Sequence, residues 1–284
     1  MIYFMEENKM LRIIVDSGSS IKQSEKEKLG VDILPLQILF DNDEYEDGID
    51  LEMDLFYHKL IDEAKFPKTS LPKMDYAEKL VDEYTKNGDD ILFIAFSSEL
   101  SGTYNVLSNL FRDHKNVRVV DSKNAVGGIR LLALEALKYK DEPLDIVFNK
   151  VENLKKRLRI LAVPETLTYL LRGGRLSKKE WLLGTIIAIK PIISLIDGKA
   201  KVISKKRGLK NAMKHINELI DEYKVDLNYP IIAEYSYNIT NVTELESYLK
   251  PEYKENISYY DEIATAVACH WGPNAFGLVF VEQE

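Results

Sequence analysis

The alternation of apolar and polar positions is sharpest between Gly88 and Tyr104. An apolar run of six residues, Ile91–Phe96 (ILFIAF), is bounded by Gly88-Asp89-Asp90 on one side and by Ser97-Ser98 on the other. A run of that length between turn residues reads as a central strand of a parallel sheet, buried on both faces. Ser101-Gly102-Thr103 then has the composition of a helix start. Leu11 to Val15 and Val117 to Val120 are further short apolar runs. Between them, Tyr76, Ala77, Leu80, Val81 and Tyr84 fall at helical spacing before Asn87-Gly88, and Ile129, Leu132, Ala133, Ala136 and Leu137 repeat the pattern. Strands alternating with amphipathic helices predict βαβ units in the first half. Ligands of open α/β sheets gather at the carboxyl ends of the strands. Free N–H groups of a helix start, with serine hydroxyls beside them, form a receptor for a carboxylate or phosphate oxygen. The pattern therefore places an anionic ligand group near Ser97, Ser98, Ser101 and Thr103.

After about Val151 the texture changes. Lys190 to Ser204 reads as two strands around Asp197-Gly198, a hairpin turn dipeptide. Apolar runs at Ile231 to Tyr235 and Ala275 to Val281 bracket one helical pattern after Thr240 and another near Ile263 to Cys269. The second half is predicted to be α+β. A chain of 284 residues is long enough for two domains of ordinary size, which leave a cleft between them.

Charge and cysteine usage narrow the partners. Lys and Arg number 38 against 46 Asp and Glu, a formal net charge of -8, which argues against a nucleic-acid or anionic-membrane surface. A single cysteine, Cys269, leaves no internal disulfide and no Cys/His zinc cluster, as expected in a reducing cytoplasm. The first residues, MIYFMEENK, lack the pattern of a signal peptide and read as an exposed extension. The longest apolar candidate, Trp181 to Ile196, is interrupted by Lys190 and Pro191, so no membrane-spanning stretch is expected.

Several candidate residues have a structural reading beside the functional one. Thr69-Ser70-Leu71-Pro72 precedes a helical pattern, and capping that helix accounts for its hydroxyls. The same discount applies to Ser97 through Thr103. His270 stands where an apolar helix-like stretch meets Trp271-Gly272-Pro273, and is read equally as a structural residue or as a donor or base. Gly173-Gly174-Arg175 suits a helix stop. Lys205-Lys206-Arg207 reads as solvated surface, although Arg207 could place a guanidinium over an anion. Asp16-Ser17 and Asp121-Ser122, at two strand ends, read as helix-entry caps before they read as an acid–base or metal pair. Neighbouring Cys269 reads as a small buried hydrophobe. Phosphate-loop, dinucleotide, zinc-protease and nucleophile-elbow motifs are absent, so no cofactor or metal is expected.

Taken in order, DS near the start, TSxP, SSxLSGTY, a second DS, LxxGGR, IKPI before DGK, a basic element containing Arg207, and HxGPxxxG resemble the DegV family over nearly the whole chain from about Met10. The resemblance implies a two-domain fold, a Rossmann-like parallel sheet with flanking helices over 10–158 and an α+β domain over 159–284. It further implies a long-chain fatty acid held in a tunnel between them. Its function would be that of the binding subunit of bacterial fatty acid kinase, a carrier and not the catalyst. Such a subunit presents the acyl carboxylate to a separate ATP-dependent kinase subunit, and the acyl-phosphate product feeds phospholipid synthesis. Carried over by position, Thr69, Ser98 and His270 would meet the carboxylate, with Ser97, Ser101, Gly102, Gly174 and Arg175 around them. Arg207 would serve the phosphorylation step, although Gly208 stands where a threonine commonly follows. Val126, and DSGSS after the first strand, also depart from the usual pattern. The alternative from another class is a serine hydrolase using Ser97, Ser98 or Ser101 with His270.

Overall fold

A computed structural model describes residues 9–178 and 188–284 of the chain. Seven strands lie in the first half: β1 (Leu11–Asp16), β2 (Val31–Leu34), β3 (Gln37–Phe40), β4 (Asp43–Glu46), β5 (Lys68–Ser70), β6 (Asp90–Ala95) and β7 (Val117–Asp121). Six follow: β8 (Leu158–Val163), β9 (Ile189–Ile196), β10 (Lys199–Arg207), β11 (Ile231–Tyr235), β12 (Ile257–Glu262) and β13 (Phe276–Val281). The first sheet is all parallel, in the order β2-β1-β6-β7. The second, in the order β10-β9-β8-β13-β11-β12, is antiparallel except for the β11/β12 pair. The expected parallel sheet and the separate mixed sheet are both present.

Burial on both faces explains the continuous apolar run of β6. Ile91, Phe93 and Ala95 pack with Ala77, Leu80 and Val81 of the helix Met74–Lys86 and with Leu107 of the helix Thr103–Leu110. Leu92 and Ile94 face the other way, toward Ile129, Leu132 and Ala133 of the helix Gly127–Lys138. That second face continues without a break into Ile160 and Ala162 of β8, Ile232 of β11 and Val279 of β13. One apolar core therefore joins the two sheets. The far face of the mixed sheet is covered by Ala212, Met213, Ile216 and Ile220 of the helix Leu209–Tyr223. At the β9/β10 hairpin, Ile196 pairs with Lys199, and Asp197 and Gly198 both have positive φ (51° and 81°), the geometry of a two-residue primed turn.

A buried ion cluster adds a second tie between the halves. Arg130, on the helix Gly127–Lys138, is fully buried and donates to both carboxylate oxygens of Glu25 (2.9 and 2.8 Å) and to the Ser20 carbonyl oxygen (3.0 Å). Its Nε lies 2.8 Å from Asp261 on β12. Removing one member of such a cluster strands a buried charge, at a cost of about 3–5 kcal/mol.

Two expectations need correction. Thr69 and Ser70 do not cap the helix that follows: they lie on β5, where Thr69 pairs with Ile38 of β3 in a small antiparallel sheet, β4-β3-β5. Lys73 occupies the N-cap of the helix Met74–Lys86 and makes no side-chain cap bond. Between β1 and β6, moreover, the chain runs through β2 and this small sheet before its first long helix. Of the apolar stretch Trp181–Ile196, residues 181–187 lie outside the described residues, as do residues 1–8 of the expected extension; Ile189–Ile196 is β9. Among the described residues, no helix is long and apolar enough to cross a membrane.

Candidate functional site

A cavity of about 260 Å³ lies between the two sheets, close to the lower end of the range of roughly 300–1,000 Å³ for small-molecule sites. The first half contributes Leu36, Leu71, Phe96, Leu100 and Val126, and the second Ile160, Leu170, Ile193, Leu195, Ile263 and Phe276. Such walls suit a hydrocarbon chain.

Its polar groups gather where β5, the loop after β6 and the helix Thr265–Trp271 converge. Thr69 Oγ1 lies 2.9 Å from His270 Nε2 across the two halves of the chain. Ser101, Gly102 and Arg175 line the same part of the cavity. Ser101 Oγ and Thr103 Oγ1 are 2.9 Å apart. Arg175 donates through Nε to the Leu100 carbonyl oxygen (3.0 Å) and through a terminal nitrogen to the Gly173 carbonyl oxygen. Among the described residues it has no carboxylate partner.

The histidine is held as a neutral ring. Burial, reinforced by the Arg175 guanidinium, pushes its imidazole down to about 3. The other ring nitrogen, Nδ1, is buried without a hydrogen-bond partner. It packs against Gly173, where an added Cβ would fall 2.0 Å from Nδ1. The paired glycines thus divide two tasks. Gly173 gives the imidazole its room, while Gly174, with φ of 73°, turns the chain after the helix Thr168–Arg172.

The remaining serines are committed elsewhere. Ser97 is fully buried beneath the β9/β10 turn and donates to the Gly198 carbonyl oxygen at 2.9 Å. Ser98 donates to Asp121 Oδ2 at 2.5 Å and accepts from Lys123 Nζ at 2.8 Å. Burial works to raise the Asp121 carboxyl, but hydrogen bonds from Ser98 and Lys123 outweigh it and hold the group below its usual range. Neither Ser97 nor Ser98 lines the cavity. The Ser98 hydroxyl belongs to a loop network, whereas Ser101 lines the cavity together with Thr69 and His270. None of the three serines hydrogen-bonds His270, so the nucleophile–base pair of the hydrolase alternative does not form in this arrangement. Asp16 closes its own turn, accepting from Gly18 N (3.0 Å) and Phe96 N (2.7 Å). Arg207 is exposed at the end of β10, outside the cavity lining.

Two participants escape sequence reasoning. Gly173, rather than Gly174, carries the contact with the imidazole. Glu234 of β11 lines the cavity although it is an acid in an otherwise apolar strand; its place among Ile231, Ile232 and Ala233 was the available signal. No group of His, Cys, Asp and Glu that could hold a metal occurs among the described residues.

Comparison with known proteins agrees with this architecture. The family model described as "Uncharacterised protein, DegV family" matches residues 10–283. The chain belongs to the DegV family. A DegV domain-containing protein of Caldanaerobacter subterraneus subsp. tengcongensis is 29% identical over 287 residues, covering 96% of this chain and 99% of the relative. The crystal structure of a fatty acid binding DegV family protein from Streptococcus agalactiae superimposes with a TM-score of 0.87 at 25% identity, over 97% of this chain and 100% of that one. A stearic acid-binding protein from Eubacterium ventriosum shares the fold, with a TM-score of 0.85 at 24% identity over 96% of this chain and 98% of that one. The DegV fold accounts for the two sheets and for the seam in which the cavity lies.

Proposed function

We propose that this DegV chain binds one long-chain fatty acid in the cavity between residues 10–158 and 159–284, with the acyl chain along the apolar walls and the carboxylate at Thr69, Ser101, Arg175 and His270. The observation that carries this reading is an apolar cavity whose hydrogen-bond donors converge from both halves of the chain at a single place. Each methylene taken from water contributes about 0.8 kcal/mol. A buried carboxylate needs hydrogen bonds and a compensating charge. Thr69, Ser101 and the neutral imidazole offer the first, and Arg175 offers the second. Fatty-acid binding by the Streptococcus agalactiae relative supports the same ligand class.

The chain then acts as a carrier. It presents the carboxylate to a separate ATP-dependent fatty acid kinase subunit in the cytoplasm, with no nucleic acid, metal or cofactor and no stable insertion into a membrane. A carboxylate oxygen attacks the γ-phosphorus of ATP on the partner, the bond from the γ-phosphorus to the β–γ bridging oxygen breaks, and acyl-phosphate and ADP result. Arg207 is assigned to that encounter as an exposed cation outside the cavity. The test is reconstitution of the fatty-acid-loaded chain with the kinase subunit and ATP. Acyl-phosphate is expected with the loaded wild-type chain, reduced with Arg207→Ala although the ligand stays bound, and absent without the chain. A loaded chain that yields no acyl-phosphate with an active kinase subunit would overturn the carrier role.

A further inference from the structure

Glu234 is the one acidic side chain in the cavity lining among the described residues, and it makes no hydrogen bond with Thr69, Ser101, Arg175 or His270. It sits on the inner face of β11, in register with Gly277 of β13; Gly277 pairs with Ala162 of β8, and Ala162 with Ile193 of β9. All four line the cavity. The row therefore runs from a carboxyl group, across a position with no side chain and then a methyl group, to an isoleucine. The carboxyl group is thus the one acidic member of a row whose other members in the lining are small or apolar.

One carboxyl oxygen of Glu234 is spoken for, because Oε1 accepts from Gly127 N at 2.5 Å. The other has no hydrogen-bond partner among the described residues, and the residue's remaining exposure is 6%. Arg130 makes no ion pair with it, being committed to Glu25, Asp261 and the Ser20 carbonyl oxygen. Burial holds the Glu234 carboxyl well above its usual range, and the charge of Asp261 adds to this. Burial thus favours the form of Glu234 that has an O–H to donate as well as an oxygen to accept. A plain alkyl chain packed over Glu234 would leave this donor without a partner.

We propose that the cavity accepts long-chain acids that carry a hydroxyl part-way along the chain, and that Glu234 is the residue that recognises that hydroxyl. The inference rests on the fatty-acid reading above and specifies its substrate class. A hydroxyl opposite Glu234 accepts from the carboxylic O–H or donates to its oxygen. Apolar side chains of the same volume at position 234 would hold a plain chain better.

The test measures the affinity of the delipidated wild-type chain, Glu234→Gln and Glu234→Met for stearic acid and for a set of monohydroxystearic acids that differ in hydroxyl position. The wild type is expected to prefer at least one isomer over stearic acid by about tenfold, as for one added hydrogen bond at a desolvated site. Glu234→Gln retains an acceptor for Gly127 and a donor for the ligand, so it keeps most of that preference. Glu234→Met abolishes the preference and binds stearic acid at least as tightly. Equal affinities across the set in the wild type, or a preference that survives in Glu234→Met, would overturn the inference while leaving fatty-acid binding intact. If neither stearic acid nor any isomer binds the wild type, the fatty-acid reading itself falls and this inference with it. Should Glu234→Met not fold, the wild-type ratio and Glu234→Gln still decide.

Discussion

Ser98 and Ser101 belong to one loop and are the same residue type, yet their hydroxyls have opposite roles. Ser98 is locked between Asp121 and Lys123 within the first half of the chain. Ser101 lines the cavity, as do a threonine and a histidine that meet across the seam between the two sheets. The first cluster is closed, because every strong acceptor already has its donors and a ligand could only displace them. The second holds Arg175, whose charge no carboxylate among the described residues offsets, so an anion arriving there meets a compensating cation. The difference lies in what the opposite half of the molecule brings. Asp121 and Lys123 are near neighbours of Ser98 in their own sheet, whereas His270 and Arg175 come from the second half.

The sharpest way to break this contrast is to delete the pair that spans the seam. His270→Ala or Thr69→Val is expected to weaken fatty-acid binding by about tenfold to a hundredfold, the range for a hydrogen bond to a charged group. Titration with a fluorescent fatty acid reads the effect, and unchanged affinity in both variants would place the carboxylate elsewhere. Gly173→Ala comes next. The added methyl would overlap the imidazole, so the ring must move, and a loss of about tenfold is expected without removal of any polar group. Retained affinity in that variant would show that the ring position is not critical.

Ser98→Ala should separate the two clusters. It is expected to lower the stability of the chain by about 1 kcal/mol in urea unfolding and to change fatty-acid affinity by less than about twofold. A large loss of affinity with unchanged stability would reverse the roles given to Ser98 and Ser101. A pH slope distinguishes the same two residues. The folded imidazole of His270 titrates at about 3, below its ordinary 6.5, so the folded chain binds fewer protons than the unfolded one in that interval. The stability contributed by the neutral ring is fully present above about pH 6.5 and is lost as pH falls toward 3. His270→Asn should flatten that part of the acid limb, and Ser98→Ala should leave it in place.

What the sequence made legible follows the same division. β6, β13 and the β9/β10 hairpin were readable because continuous burial and the Asp197-Gly198 turn leave local patterns. The helix Met74–Lys86 was readable from the spacing of Ala77, Leu80 and Val81. β5 was not: Lys68–Ser70 is three polar residues, two of them exposed, whose strand state comes from pairing with β3. For that reason Thr69 read as a cap. The hydroxyl-rich loop was legible as the end of β6, but which of its serines lines the cavity depends on partners distant in sequence. Asp121 draws Ser98 away, and His270 arrives only when the second sheet folds against the first. Gly173 and Gly174 look alike in sequence, and only the imidazole packed on one of them tells them apart.

The central claim is that the cavity holds a fatty acid, and the most direct measurement is of what the purified chain carries. Native mass spectrometry of the intact protein, followed by solvent extraction and identification of the released lipid, should show one long-chain fatty acid per chain, with occupancy sharply reduced in the Thr69→Val and His270→Ala variants. A wild-type chain that carries no lipid, and takes up none after incubation with saturated and unsaturated fatty acids, would contradict the account.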